Sequence, residues 1–230
     1  PQTKLMYCGP MFRRERPQKG RYRQFTRIGL EMFGYPSYLA EVELIAICDH
    51  LWNKLGIRSN VELEINNIGS TNDRQKYKEA LVAFFMAHQQ VLTPEQITRL
   101  QTNPLRILDS KDDNIQELIA QAPSIANYLS SESQEEFSQL LTLLTNLNIT
   151  YTVNHKLVRG LDYYNNCVWE WTTTLLGSQN TICAGGRYDN LVEQLGGKPV
   201  TAVGFSLGLE RVLEMVKEPT IVCPDIIAFG

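Results

Sequence analysis

Residues 13–27, from Arg13 to Arg27, hold seven basic side chains and one acid in fifteen positions, between two runs of strand texture at residues 5–12 and 25–33. This feature most constrains the fold. Pro17 and Gly20 interrupt the basic run, which disfavours a helix and predicts a loop that returns the chain as a long hairpin. The opening of the chain, through residue 33, is thereby committed to a sheet. Loops on rigid scaffolds often carry function, and the planar forks of arginine match phosphate oxygens. The hairpin therefore suits a polyphosphate, with a merely solvated basic turn as the plain alternative.

The chain has 230 residues, 43% hydrophobic and 20% charged, which excludes disordered and fibrous classes and allows one large domain or two small ones. The basic segment sits in a chain of net charge −3, so the rest is acidic and one local anionic ligand site is indicated rather than a nucleic-acid-binding surface all round. Cys8, Cys48, Cys167, Cys183 and Cys223 are odd in number and contain no CxxC pair. Neither a zinc site nor a disulfide framework is expected, the thiols are expected to be buried or inert, and a reducing cytoplasm fits best. No metal ligands are assigned. No apolar run approaches the roughly 20 residues needed to span a bilayer, and no signal peptide opens the chain. The chain begins Pro1-Gln-Thr and stops at Asp225-Ile-Ile-Ala-Phe-Gly230, which reads as a strand cut short; a fragment of a longer protein is expected.

Leu44, Ile47, Cys48, Leu51 and Leu55 recur at helical spacing, whereas Val61, Leu63 and Ile65 alternate with Glu62, Glu64 and Asn66 as in a half-buried strand. From about Ser70 to Thr150 the texture turns to polar helices. Thr93-Pro94-Glu95-Gln96 has the form of a capping box with Pro at the first helical position, and Phe137, Leu140, Leu141, Leu144 and Leu147 form an amphipathic stripe. This stretch reads as a helical insertion in a sheet-based domain, punctuated by Asn103-Pro104 and Ala122-Pro123. Sheet texture returns over residues 157–174 and 181–184, followed by a predicted turn at Gly185-Gly186 and a helix. Residues 203–213 read as a strand running into a helix that carries Arg211, with glycines that permit close backbone approach.

Three motifs stand in order: Phe12-Arg13-Arg14-Glu15 in the hairpin, Leu157-Val158-Arg159-Gly160-Leu161-Asp162-Tyr163-Tyr164-Asn165 on an expected central strand, and Gly208-Leu209-Glu210-Arg211 at the end. Together with Ala184-Gly185-Gly186-Arg187-Tyr188-Asp189 they make the chain resemble the histidyl-tRNA synthetases, which are class II aminoacyl-tRNA synthetases. The resemblance covers essentially the whole chain. It implies an α+β fold, an antiparallel sheet flanked by helices with a helical insertion. Residues 1–69 and 151–218 would be a discontinuous catalytic core, 70–150 the insertion, and 219–230 a linker leading into an anticodon-binding domain. It also implies a homodimeric parent protein. Motif 1, which builds the dimer interface, and an upstream loop that closes over the amino acid are not in the sequence, so the piece alone is expected to be weak or inactive.

Chemically, the resemblance implies ATP-dependent activation of L-histidine, with Mg2+, and transfer of the histidyl group to the 3' end of tRNA(His). Positive groups around the α-phosphate stabilise the charge that develops there in the transition state. The matching positions give Arg13 to the α-phosphate and the substrate carboxylate, Arg159 to the α-phosphate, Arg211 to the γ-phosphate, Glu15 to ATP and Phe25 to the adenine ring. Glu31 and Tyr164 would read the imidazole, whose neutral form offers one donor and one acceptor, and Tyr163 would line the same pocket. Arg27 stands among the histidine-binding positions where the family normally has a glutamine for the substrate's amino group, and a guanidinium there should repel an ammonium. Salt bridges and core packing are the alternatives for these arginines and aromatics taken singly. Arg14, Arg16, Lys19, Arg21 and Arg23 are candidates for the acceptor stem. His50, His88 and His155 fall outside the motifs. Two rival readings have different chemistry: a non-catalytic histidine-sensing subunit that regulates ATP phosphoribosyltransferase, and a tRNA-sensing synthetase-like module. Retention of all three ATP arginines and of the intact run from Arg159 to Tyr164 argues against both.

Overall fold

The computed structural model describes residues 2–14, 16–18, 20–108, 110, 112–159, 161, 163–177 and 179–216. Glu15, Lys19, Gly160, Asp162, Cys223 and the expected linker at 219–230 therefore lie outside the described residues. Strand β1 (Thr3–Phe12) returns as β2 (Gln24–Phe33), paired without a slip from Thr3 opposite Phe33 to Phe12 opposite Gln24. This is the hairpin that the basic segment predicts.

The other strands are β3 (Glu62–Asn67), β4 (Thr152–Val153), β5 (Asn165–Thr172), β6 (Thr181–Arg187) and β7 (Ala202–Gly208). They form one seven-stranded sheet in the order β1-β2-β7-β6-β5-β3-β4. Every neighbouring pair is antiparallel except β3 and the two-residue edge strand β4, which are parallel. The fold is α+β, a mixed sheet with flanking helices.

Helix α1 (Leu39–Lys54) covers one face. Its Leu44, Ile45, Cys48 and Trp52 are fully buried against Leu63, Ile65, Trp169, Trp171, Val203 and Phe205, and each large side chain so buried contributes roughly 1.5–3 kcal/mol. Trp52 meets Trp171 edge to face at 6.2 Å. The expected stripe differs by a small rotation: Ile47 is exposed, and Leu51 and Leu55 are half-buried. Trp52, the largest apolar surface on the helix, sets the buried face.

Between β3 and β4 run α2 (Thr71–Ala87), α3 (Pro94–Thr102), α4 (Gln116–Gln121) and α5 (Ser131–Asn146). Capping boxes open α2, at Ser70 and Asp73, and α3, at Thr93 and Gln96. Tyr77, Leu81, Phe85, Leu100, Ile107, Ile115 and Ile119 form a separate cluster. Helix α5 instead gives Leu140 and Leu144 to the core beneath the sheet, while Leu147, just past the helix end, is exposed. Asp73 ties the starts of α2 and α5 together, accepting from Ser70 N–H, Ser130 N–H and the Ser133 hydroxyl at 3.0–3.2 Å.

Two local expectations are overturned. The described residues between Leu157 and Tyr164 form no strand, so Arg159 stands in a loop that feeds β5; Leu157 and Val158 are apolar because they are buried in side clusters. Gly185 and Gly186 make no turn but lie inside β6, where Cβ atoms would run into the rings of Trp169 and Tyr164.

Candidate active site

Side chains two apart on a strand share a face. Phe25, Arg27, Glu31 and Phe33 of β2 therefore point together away from α1, into a cavity of about 580 Å3 closed by β6, β7, the loop before β5 and the short helices α6 (Leu191–Gln194) and α7 (Leu209–Leu213). Arg13, Arg159, Tyr163, Tyr164 and Arg211 line the same cavity. Every described residue that the resemblance gives to ATP or histidine lines one space, whereas Arg14, Arg16, Arg21 and Arg23 do not line it.

At one end Glu31 lies over Gly204 of the facing strand so closely that a Cβ there would collide with its carboxylate. Glu31 accepts a hydrogen bond from the Tyr188 hydroxyl. Burial raises the Glu31 carboxyl above its usual range, with the Tyr188 hydrogen bond opposing. Burial and the Glu31 carboxylate together push the Tyr188 hydroxyl up, so it remains a donor. Tyr188 packs edge-on to Tyr163 and Tyr164, at 5.9 and 6.1 Å, and those two rings lie 4.6 Å apart. Tyr7, reaching across from β1, is likewise raised by burial and by Glu31. A carboxylate acceptor among phenol donors in an aromatic slot is equipped to read a flat ring that carries both an N–H and a bare nitrogen.

The other end is cationic. The Arg13 guanidinium lies 4.3 Å from the Phe25 ring centroid and its Nε–H donates to the Tyr22 carbonyl at 2.9 Å. Arg27, itself exposed, stands 5.4 Å from the same centroid. Arg211 donates to the Gly20 carbonyl at 2.7 Å, the Thr181 carbonyl at 2.5 Å and the Gln179 side-chain carbonyl at 2.9 Å. Burial, followed by the charges of Arg13, Arg21 and Arg27, lowers its pKa. Arg159 is ion-paired with Glu170 and lies 5.6 Å from the Tyr164 centroid, while the second Glu170 oxygen accepts from the Thr181 hydroxyl at 2.7 Å. Glu210 accepts from Thr26 N–H at 2.6 Å. Four guanidinium groups facing a shared space form a field suited to a compact polyanion.

Among the described residues no three His, Cys, Asp or Glu side chains converge to hold a metal ion. Glu170 and Glu210 are already engaged by protein donors. The resemblance implies Mg2+ with the nucleotide, and Glu15, the acidic residue it gives to ATP, lies outside the described residues.

The family described as Histidyl-tRNA synthetase matches residues 1–212. The chain belongs to the histidyl-tRNA synthetase family. The apo histidyl-tRNA synthetase of S. aureus is 34% identical with a TM-score of 0.73, over 92% of this chain and 50% of that one. At lower identity the likeness is one of fold: 21% and a TM-score of 0.59 to an ATP phosphoribosyltransferase regulatory subunit/histidyl-tRNA synthetase from Bacillus halodurans C, over 93% of this chain and 58% of that one. The histidyl-tRNA synthetase from Nostoc sp. PCC 7120 gives 20% and 0.57, over 90% and 51%. The chain thus spans about half the length of the solved synthetases it resembles.

Seen as a histidyl-tRNA synthetase core, the cavity contains groups to which the sequence motifs assign no role. Glu170 holds Arg159, and Tyr7 and Tyr188 flank Glu31. The alternation Trp169-Glu170-Trp171 carries the signal for Glu170, since two tryptophans on the core face turn the carboxylate to the opposite one. Arg187, in contrast, serves the scaffold: only 3% exposed, it makes two hydrogen bonds to Glu41 at 2.6 and 2.5 Å and others to Asp189 and to the Tyr35 and Ser37 carbonyls. Of the thiols expected to be buried or inert, Cys48, Cys167 and Cys183 are buried and Cys8 is exposed. No described histidine lines the cavity.

Proposed function

We propose that this chain is the catalytic core of a histidine–tRNA ligase. One carboxylate oxygen of L-histidine attacks the α-phosphorus of ATP, the bond to pyrophosphate breaks, and histidyl-adenylate forms. A hydroxyl of the terminal ribose of tRNA(His) then attacks the acyl carbon and AMP leaves. The observation that carries this reading is the meeting, in one cavity, of Arg13, Arg159 and Arg211 with the Glu31–Tyr188 pair and Tyr164.

In this reading Glu31 accepts a ring N–H of the substrate and Tyr164 borders the imidazole, with Tyr163 beside it. A ligand without that N–H would leave a half-buried carboxylate unpaired, and this is how such sites discriminate strongly. Phe25 takes the adenine, Arg13 bridges the α-phosphate and the substrate carboxylate, Arg211 takes the γ-phosphate, and Glu15 belongs with the ATP site. Arg159 neutralises the α-phosphate oxygens as charge builds on them. Arg27 borders the substrate's amino end, where its charge opposes an ammonium. Residues 1–69 and 151–218 act as the core and 70–150 as an insertion, in a parent that is cytoplasmic and homodimeric; no helix among the described residues is long and apolar enough to cross a membrane.

Arg27 also gives weight to a second reading, a histidine sensor that does not form the adenylate. Histidine-dependent ATP–pyrophosphate exchange by the full-length protein, with the other amino acids as controls, separates the two. Exchange with histidine alone is expected. Histidine binding without exchange would favour the sensor.

A further inference from the structure

Beside the main cavity lies a smaller pocket of about 200 Å3, lined by Arg74, Gln75 and Lys78 of α2, by Asn190 and Gln194, and by Tyr163. Tyr163 lines both spaces, so the small pocket opens next to the aromatic slot. Its other walls come from two separate parts of the chain, joined where the Asn190 side-chain amide donates to the Thr71 hydroxyl at 3.1 Å.

The chemistry of the lining is one-sided. Arg74 and Lys78 stand four residues apart on one helix face, where like charges repel, and among the described residues no carboxylate lines the pocket, although the whole chain is acidic. The remaining groups are side-chain amides and hydroxyls, which can donate to phosphate or sugar oxygens; of these, the Gln75 amide also donates to Glu79 at 2.8 Å. The volume is below the roughly 300–1,000 Å3 of a site for a free organic ligand. It suits one sugar–phosphate unit of a longer chain.

We propose that this pocket seats the backbone of the single-stranded 3' end of the RNA substrate, next to the nucleotide that enters the main cavity. The inference rests on the ligase reading, because that reaction requires an RNA end to arrive beside the activated amino acid. Lys78, half-buried and outside the catalytic cavity, supplies a phosphate contact that tolerates any base, and Gln75 and Gln194 add hydrogen bonds to the backbone. The loop between β1 and β2 holds the candidates for the duplex, Arg14 and Arg16 among them.

The test compares the full-length protein with Lys78→Ala, Lys78→Glu and Lys78→Arg. Binding is measured by fluorescence anisotropy to two RNA minihelices, one with and one without its single-stranded 3' end. The parent should bind the complete minihelix roughly tenfold more tightly, the scale of one charge-assisted hydrogen bond made only when the tail is present. That difference should vanish in Lys78→Ala and Lys78→Glu, return in Lys78→Arg, and carry a salt slope about 0.7 steeper in the parent than in Lys78→Ala. Histidine-dependent pyrophosphate exchange should be unchanged within twofold in all three variants. A tail-dependent difference that persists in Lys78→Ala, or is missing from the parent, overturns the proposal. Failure of the parent to support exchange would overturn the ligase reading, while the binding comparison would still decide the pocket's role.

Discussion

Replacing Arg159 with alanine tests the cationic end most directly. Its side chain is 21% exposed and its partner Glu170 17%, so both charges work in a medium well below the dielectric of water and are only partly screened. Loss of one positioned donor of this kind costs roughly 10²–10³ in rate, about 2.7–4 kcal/mol. Arg159→Ala also leaves Glu170 without its cation, and a carboxylate facing incoming phosphates adds repulsion to the missing attraction. The loss in the single variant should therefore reach the upper end of that range or exceed it. The double variant Arg159→Ala/Glu170→Gln, which keeps the hydrogen bond from Thr181 and removes the stranded charge, should recover part of the loss. Residues in contact couple in this way. The assay is histidine-dependent pyrophosphate exchange, with histidine affinity measured separately by equilibrium binding. Histidine binding should stay within about threefold of the parent, since the role proposed for Arg159 is on charge that develops in the transition state. Exchange within threefold of the parent in Arg159→Ala would refute the assignment, as would a double variant no faster than the single one.

Other outcomes are equally specific. Gly204→Ala forces the Glu31 carboxylate off its seat and should weaken histidine binding roughly tenfold or more, on the scale of a hydrogen bond to a charged group; calorimetric titration with affinity equal to the parent would contradict this. Arg187→Ala leaves Glu41 buried and uncompensated at 1% exposure and should cost about 3–5 kcal/mol, whereas denaturant unfolding with a loss under about 1 kcal/mol would show that the pair is dispensable. Arg27→Gln removes a cation from the substrate's amino end and should lower KM for histidine with kcat nearly constant; a raised KM would mean that the guanidinium helps to hold the substrate. For Asp73, burial alone would raise the carboxyl, but the hydrogen bonds from Ser70, Ser133 and Ser130 hold it below its usual 3.8. A carboxyl lowered in the fold adds stability above the unfolded pKa that is lost as pH falls through the folded one. The stability advantage over Asp73→Asn should thus be intact at about pH 5 and disappear as pH falls below that usual value, as followed by urea unfolding.

The hairpin is legible in the sequence because Pro17 and Gly20 break the basic run locally, whereas Phe25, Arg27 and Glu31 are named by the family resemblance, and the period of two along β2 explains why they face one cavity. What escapes is what depends on neighbours distant in sequence. Leu157 and Val158 resemble strand residues because both a strand and a buried loop select apolar side chains. Gly185 and Gly186 resemble a turn because glycine marks turns, yet here a Cβ would meet Trp169 and Tyr164. The choice of buried face on α1 has the same origin: two neighbouring stripes fit the helical period, and the rings of Trp52 and Trp171, brought together by the sheet, select between them. Likewise, the role of Glu170 becomes visible only when the loop brings Arg159 to it.

The partners of the cavity arginines also imply an order of events. Arg211 rests on two carbonyls and an amide oxygen. These are neutral acceptors, which a phosphate oxygen displaces with a net gain because hydrogen bonds between ionised groups are the stronger ones. Arg159 is instead held by the Glu170 carboxylate, so a nucleotide must compete there with a full negative charge. In the proposed ligase, nucleotide capture through Arg211 therefore precedes full engagement of Arg159, which would move from Glu170 to the α-phosphate as negative charge develops on it. Glu170→Gln separates the two stages: it should tighten ATP binding through Arg159 in the ground state and raise the exchange rate by less than it tightens binding, because part of the cation's attraction would then be spent before the transition state. Equal gains in both would mean that Arg159 leaves Glu170 already on nucleotide binding.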